Sequence, residues 1–91
     1  MTNIARHASV TGQVQGVFYR AWTQAQAREL AISGWVRNCP DGSVEAHVQG
    51  DEGDVSRMIE RMRAGPANAR VDDVDVESAA LDSSGRFELR R

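Results

Sequence analysis

This 91-residue chain predicts an α+β sandwich: a mixed, mostly antiparallel sheet with two helices on one face. Three observations carry that expectation. Two segments have helical periodicity, and the remainder alternates as strands do, in the order β-α-β-β-α-β. A Pro40-Asp41-Gly42 turn divides the middle pair of strands. The chain is 41% hydrophobic and 26% charged, ordinary globular values, and it is too short for two separate cores. A single domain over 1–91 is expected.

Residues 4–11 alternate Ala8 and Val10 with His7, Ser9 and Thr11, a strand pattern. Gly12 to Gly16 read as a loop with two glycines. Residues 20–32 are rich in good helix formers, with Thr23, Ala27, Leu30 and Ala31 as the inner stripe and Gly34 suited to the end. Residues 35–39 and 43–49 form a hairpin across the Pro-Asp-Gly turn. Asp51 then reads as an N-cap, and Val55, Met58, Ile59 and Met62 follow at i, i+3, i+4, i+7 spacing. Asp51, Glu52 and Asp54 open this helix, Arg61 and Arg63 close it, and Gly65-Pro66 stops it. Residues 69–77 form a strand in which the Val71 to Val74 spacing breaks parity, so a bulge is expected near Asp72. Ser83-Ser84-Gly85 turn the chain, and residues 86–90 alternate as a short edge strand. The order is the split-βαβ, ferredoxin-like plan with one short extra strand. That plan hosts many activities and assigns none.

Composition excludes several classes. Eleven basic residues against 13 acidic ones give a net charge of −2, which argues against a nucleic-acid module. All 11 basic residues are Arg, which we read as compositional bias of the source. The single cysteine, Cys39, excludes an intrachain disulfide framework and a multi-Cys zinc site. No apolar run is long enough to span a membrane, and the start of the chain lacks a signal-peptide core, so a reducing cytosol is the expected home.

Chemistry concentrates in two stretches. Gly12-Gln13-Val14-Gln15-Gly16-Val17-Phe18-Tyr19-Arg20 joins the first strand to the first helix. Its glycines permit tight angles, successive N–H groups can converge on an anion, and the helix N-terminus adds positive dipole. The Arg20 fork can grip two phosphate oxygens. The converging N–H groups, the helix N-terminus and the Arg20 fork all favour a phosphate-like anion; the plain structural alternative is a glycine turn with an Arg pairing a surface carboxylate. The loop lacks both the Walker ending and the dinucleotide glycine spacing. The second stretch runs from Gly34-Trp35-Val36-Arg37-Asn38 to Gly50. Parity puts Val36 and Asn38 on one side, Trp35 and Arg37 on the other. The Asn38 carboxamide can position a water but cannot act as an ordinary general base; alternatively it bonds its own turn backbone.

Together these stretches resemble the acylphosphatase family, whose motifs Gly-x-Val-Gln-Gly-Val-x-aromatic-Arg and Gly-Trp-Val-x-Asn-x-x-x-Gly-x-Val match Gly12–Arg20 and Gly34–Val44, with the later Gly at Gly50. Tyr19 stands where Phe is more usual. The resemblance covers essentially the whole chain. It implies hydrolysis of carboxyl phosphates to a carboxylate and inorganic phosphate, with no metal and no cofactor. It implies that Arg20 binds the phosphoryl group, aided by backbone N–H groups of Gln15, Gly16, Val17, Phe18 and Tyr19, and that Asn38 orients the attacking water. A substrate phosphate oxygen would accept the water's proton. Inorganic phosphate or sulfate would then compete with the substrate. The competing class is a non-catalytic anion-binding module of the same fold.

Other candidates have plainer readings. His7 and His47 fit solvated or packed strand positions, and Cys39 fits a free thiol. Asp72, Asp73, Asp75 and Glu77 fit a solvated strand face rather than a metal site. Trp22 and Trp35 fit packing positions, with an exposed Trp35 as a possible contact. No nucleic-acid or membrane partner is expected, and a free-standing monomer is the simplest assembly.

Overall fold

A computed structural model describes residues 2–83 and 85–91. The elements run β1 (Asn3–Gln13), α1 (Tyr19–Glu29), β2 (Ser33–Asn38), β3 (Val44–Asp51), α2 (Glu52–Ala64), β4 (Arg70–Ser78) and β5 (Phe87–Leu89). The five strands form one sheet in the order β4-β1-β3-β2-β5. All neighbours are antiparallel except β2 and β5, which are parallel. The predicted plan is therefore present, with β5 as a short edge strand. The turn expected at Ser83-Ser84-Gly85 includes Ser84, which lies outside the described residues.

One sheet face is apolar and carries the helices. Ala8, Val10, Val36, Val44, Ala46 and Val48 point into the core, where Ala27, Val55, Met58 and Met62 meet them. The opposite face carries the row His7, His47 and Trp35 across β1, β3 and β2. There His47 stacks on Trp35, and the Arg90 guanidinium sits 5.0 Å above the Trp35 ring. The exposed acidic residues of β4 are a solvated face, as expected.

Several boundaries differ from expectation. Gly12 and Gln13 belong to β1 rather than to the loop, because the strand continues past a bulge. Thr11 pairs with Asp73 and Gly12 with Val71, leaving Asp72 unpaired, the irregularity the broken parity predicts. Gly12 has φ 124°, and a Cβ there would lie 2.1 Å from the Arg70 carbonyl oxygen. Only glycine allows the two strands to approach so closely at this point.

Helix α1 stops at Glu29, three residues short of the predicted end. Its terminus is a Schellman turn: Ile32 N–H donates to the Ala27 carbonyl and Ala31 N–H to the Arg28 carbonyl. The left-handed residue is Ala31, at φ 56°, rather than Gly34. Ala31 is consequently exposed and Leu30 only half-buried, so the inner stripe is Tyr19, Thr23 and Ala27. Gly34 instead lies inside β2.

The hairpin and α2 follow expectation. Cys39 N–H donates to the Ser43 carbonyl, and Gly42 N–H to the Cys39 carbonyl, with Gly42 at φ 92°. Asp51 caps α2 by accepting from Gly53 N–H at 3.2 Å. Val55, Met58 and Met62 are buried, and Gly65 ends the helix at φ 69°.

Candidate active site

The two helix N-termini are built for opposite purposes. Helix α2 fills its own, with the Asp51 cap and with Glu52 and Asp54 in the first turn. Helix α1 has no side-chain cap and no acidic residue in its first turn. Its N-cap is Phe18, at φ 60° and ψ 25°. No side chain of the helix therefore satisfies the first-turn N–H groups of α1 or offsets the positive end of its dipole.

The loop preceding α1 is tied to the β2–β3 hairpin. Gln15 Nε2 donates to the Cys39 and Ser43 carbonyls, each at 2.8 Å. Gly16 takes φ 74° with open space where a Cβ would stand. A cleft of about 330 Å³ opens beside this loop, lined by Val14, Gly16, Phe18, Tyr19, Arg20, Ala21, Asn38 and Leu89. Five of the seven predicted site residues therefore line one cavity: Gly16, Phe18 and Tyr19 with Arg20 from α1 and Asn38 from the end of β2.

Arg20 Nη1 donates to the Arg90 carbonyl at 2.6 Å. One of the five guanidinium N–H groups is thereby used to hold the side chain, and the rest can serve a ligand. The Asn38 Oδ1 atom is buried without a hydrogen-bond partner. A buried polar atom without a partner costs on the order of 1–3 kcal/mol, a cost that a water or ligand in the cleft would remove. The carboxamide does not bond its own turn, so the plain alternative for Asn38 fails. So does that for Arg20, which holds a carbonyl rather than a carboxylate.

Other predicted residues have different places. Gln15 and Val17 do not line the cleft: the Gln15 side chain braces the hairpin, and Val17 packs against the core. Tyr19 reaches the cleft from a buried position, and its hydroxyl donates to the Met62 carbonyl at 2.8 Å. Burial pushes the Tyr19 phenol above its ordinary range, so it remains a neutral donor. Any contribution of Gln15, Val17 or Tyr19 to an anion is therefore through main-chain N–H groups. Sequence reasoning missed Val14, Ala21 and Leu89. The alternation of residues 86–90 places Leu89 in a strand, but only the parallel pairing of Val36 with Leu89 brings it to the cleft.

Among the described residues no group of three or more His, Cys, Asp or Glu side chains is gathered to hold a metal ion. His7 Nε2 lies 2.9 Å from Glu45, and His47 bonds Gln49; both are on the other face of the sheet. No helix among the described residues is long and apolar enough to cross a membrane.

A split-βαβ sandwich with an uncapped helix N-terminus, a guanidinium and a carboxamide beside one cleft defines the class: a small α+β sandwich protein with a cationic cleft. The acylphosphatase family model matches residues 6–89, and the chain belongs to the acylphosphatase family. It is 55% identical over 74 residues to an acylphosphatase of Rhizorhabdus wittichii, covering 81% of this chain and 75% of that one. It is 42% identical to an acylphosphatase of Haloarcula marismortui over 90 residues, 99% of each chain. The solved acylphosphatase of Coxiella burnetii superposes with a TM-score of 0.93 at 33% identity, covering 97% of this chain and 93% of that one.

Proposed function

We propose that this chain is an acylphosphatase: it hydrolyses the carboxyl-phosphate bond of acyl phosphates to a carboxylate and inorganic phosphate. Family membership supports the reaction. The observation that supports the site is the meeting of Arg20, Asn38 and the uncapped N-terminus of α1 in one cleft.

In this reading the Arg20 guanidinium and the main-chain N–H groups of the Gln15–Tyr19 loop grip the phosphoryl oxygens. Asn38 accepts a hydrogen bond from a water through Oδ1 and aims it at phosphorus. The water oxygen bonds to phosphorus as the bond to the acyl oxygen breaks, and the electron pair leaves with the carboxylate. The water's proton passes to a phosphate oxygen. A carboxylate is a good leaving group, so no general acid is required. Phosphoryl transfer has a loose transition state, and catalysis rests on positioning and charge stabilisation. The site has Arg20 for charge and Asn38 for position, which suits that demand.

The whole chain acts as one domain and as a monomer, with the lone Cys39 suited to a reducing cytosol. Phosphate release from benzoyl phosphate in the presence of a chelator tests the activity. Release inhibited competitively by inorganic phosphate is expected; saturable phosphate binding without release would make the chain an anion-binding module instead.

A further inference from the structure

We infer that Phe18 and Leu89 form the seat for the acyl group, so that this enzyme selects acyl phosphates whose acyl part is apolar and ring-sized. The inference rests on the reading of the cleft as an acyl phosphate site.

Among the described residues three large apolar side chains are exposed: Phe18 at 83%, Leu81 at 56% and Leu89 at 39%. Phe18 and Leu89 both line the cleft that holds Arg20 and Asn38. They arrive from different elements, one from the α1 N-cap and one from the edge strand β5. Phe18 is also costly where it stands. Its φ of 60° is left-handed, a conformation that glycine or asparagine adopts far more readily than a bulky residue. Neither core packing nor backbone geometry therefore accounts for an aromatic residue at this position. Backbone outliers of this kind concentrate at ligand sites.

Size and charge point the same way. A phosphate with its four oxygens displaces about four water volumes, roughly 120 Å³. The cleft measures about 330 Å³, so more than half of it lies beyond the phosphoryl group. Arg20 is the sole charged residue among those lining the cleft. The Arg90 guanidinium is engaged on the other face of the sheet, over Trp35 and against Glu88. No second cation among the described residues lines the cleft to pair with an anionic group on the acyl side, whereas an apolar ring would cover Phe18 and Leu89.

The test is the ratio of kcat/KM for benzoyl phosphate to that for acetyl phosphate, measured in the wild type, Phe18→Gly, Leu89→Ser and Leu81→Ser. A weakened phosphate grip lowers both substrates alike and leaves the ratio unchanged, so the ratio reads the acyl seat alone. Phe18→Gly removes an exposed ring and suits the left-handed backbone, so thermal unfolding should show the fold retained. We expect Phe18→Gly to lower the ratio about tenfold, a step of the size that apolar pocket contacts give. Leu89→Ser should lower it severalfold, Phe18→Leu should recover part of it, and Leu81→Ser should match the wild type. A ratio in Phe18→Gly equal to that of the wild type overturns the acyl seat while the hydrolase reading stands. Failure of the wild type to hydrolyse either substrate overturns the hydrolase reading and the seat with it.

Discussion

A guanidinium and a carboxamide divide the work of the proposed site between charge and position, and their replacements should fail differently. Arg20→Ala removes the one side-chain cation of the cleft. A loss on the order of 10³-fold or more in kcat/KM is expected, with weaker inhibition by inorganic phosphate. Asn38→Ala deletes the orphaned Oδ1 and leaves the anion grip intact. It should lower kcat chiefly, with the phosphate inhibition constant nearly unchanged; steady-state kinetics on both variants separate the two roles. Both positions were legible in the sequence because Arg20 closes one long motif and Asn38 lies inside the other. Tyr19 was legible only as an aromatic: its place in the wall of the cleft and the bond of its hydroxyl to the Met62 carbonyl come from packing against α2.

At the scale of elements, glycines set how closely strands approach. In β2, Gly34 has φ 135°, and a Cβ there would lie 1.7 Å from the His47 carbonyl oxygen. That oxygen belongs to the backbone of β3, so no side-chain adjustment relieves the clash. Gly34→Ala should destabilise the fold by about 3 kcal/mol or more, measured by urea denaturation. Because β2 also ends in Asn38, any folded fraction should show reduced kcat as well. The sequence suggests a helix-ending role for Gly34 because glycine commonly closes helices. The chain closes α1 with Ala31 instead, since the Schellman bonds of Ala31 and Ile32 fix the turn before Gly34 is reached. Caps and turns with bonding partners a few residues away, such as Asp51 and Pro40-Asp41-Gly42, were read correctly.

For the molecule as a whole, acid stability should depend in part on a carboxylate that joins two neighbouring strands to its own. Burial pushes the Glu45 carboxyl up, but hydrogen bonds from His7 on β1 and Arg37 on β2 outweigh this and hold it below its ordinary range. A depressed folded-state pKa stabilises the fold above the unfolded value, about 4.3, and that contribution is lost as pH falls toward the folded value. Denaturation midpoints measured downward from pH 6 should therefore decline below about pH 4.5 in the wild type. Glu45→Gln should start lower at pH 6 and decline less; parallel acid limbs in the two proteins would remove Glu45 from this role.

By itself the sequence determined the element order, the hairpin turn, the α2 cap, the bulge at Asp72 and the two motifs that end in Arg20 and carry Asn38. Each of these is written in neighbours a few residues apart, where propensity, periodicity and short-range hydrogen bonds decide the outcome. Tertiary structure alone decided that β5 runs parallel to β2, that the Arg90 carbonyl holds Arg20, and that Leu89 faces Phe18's cleft. Residues 70 positions apart meet only once the whole sheet is assembled. The packing that assembles it is a sum of many weak apolar contacts, which no local pattern records.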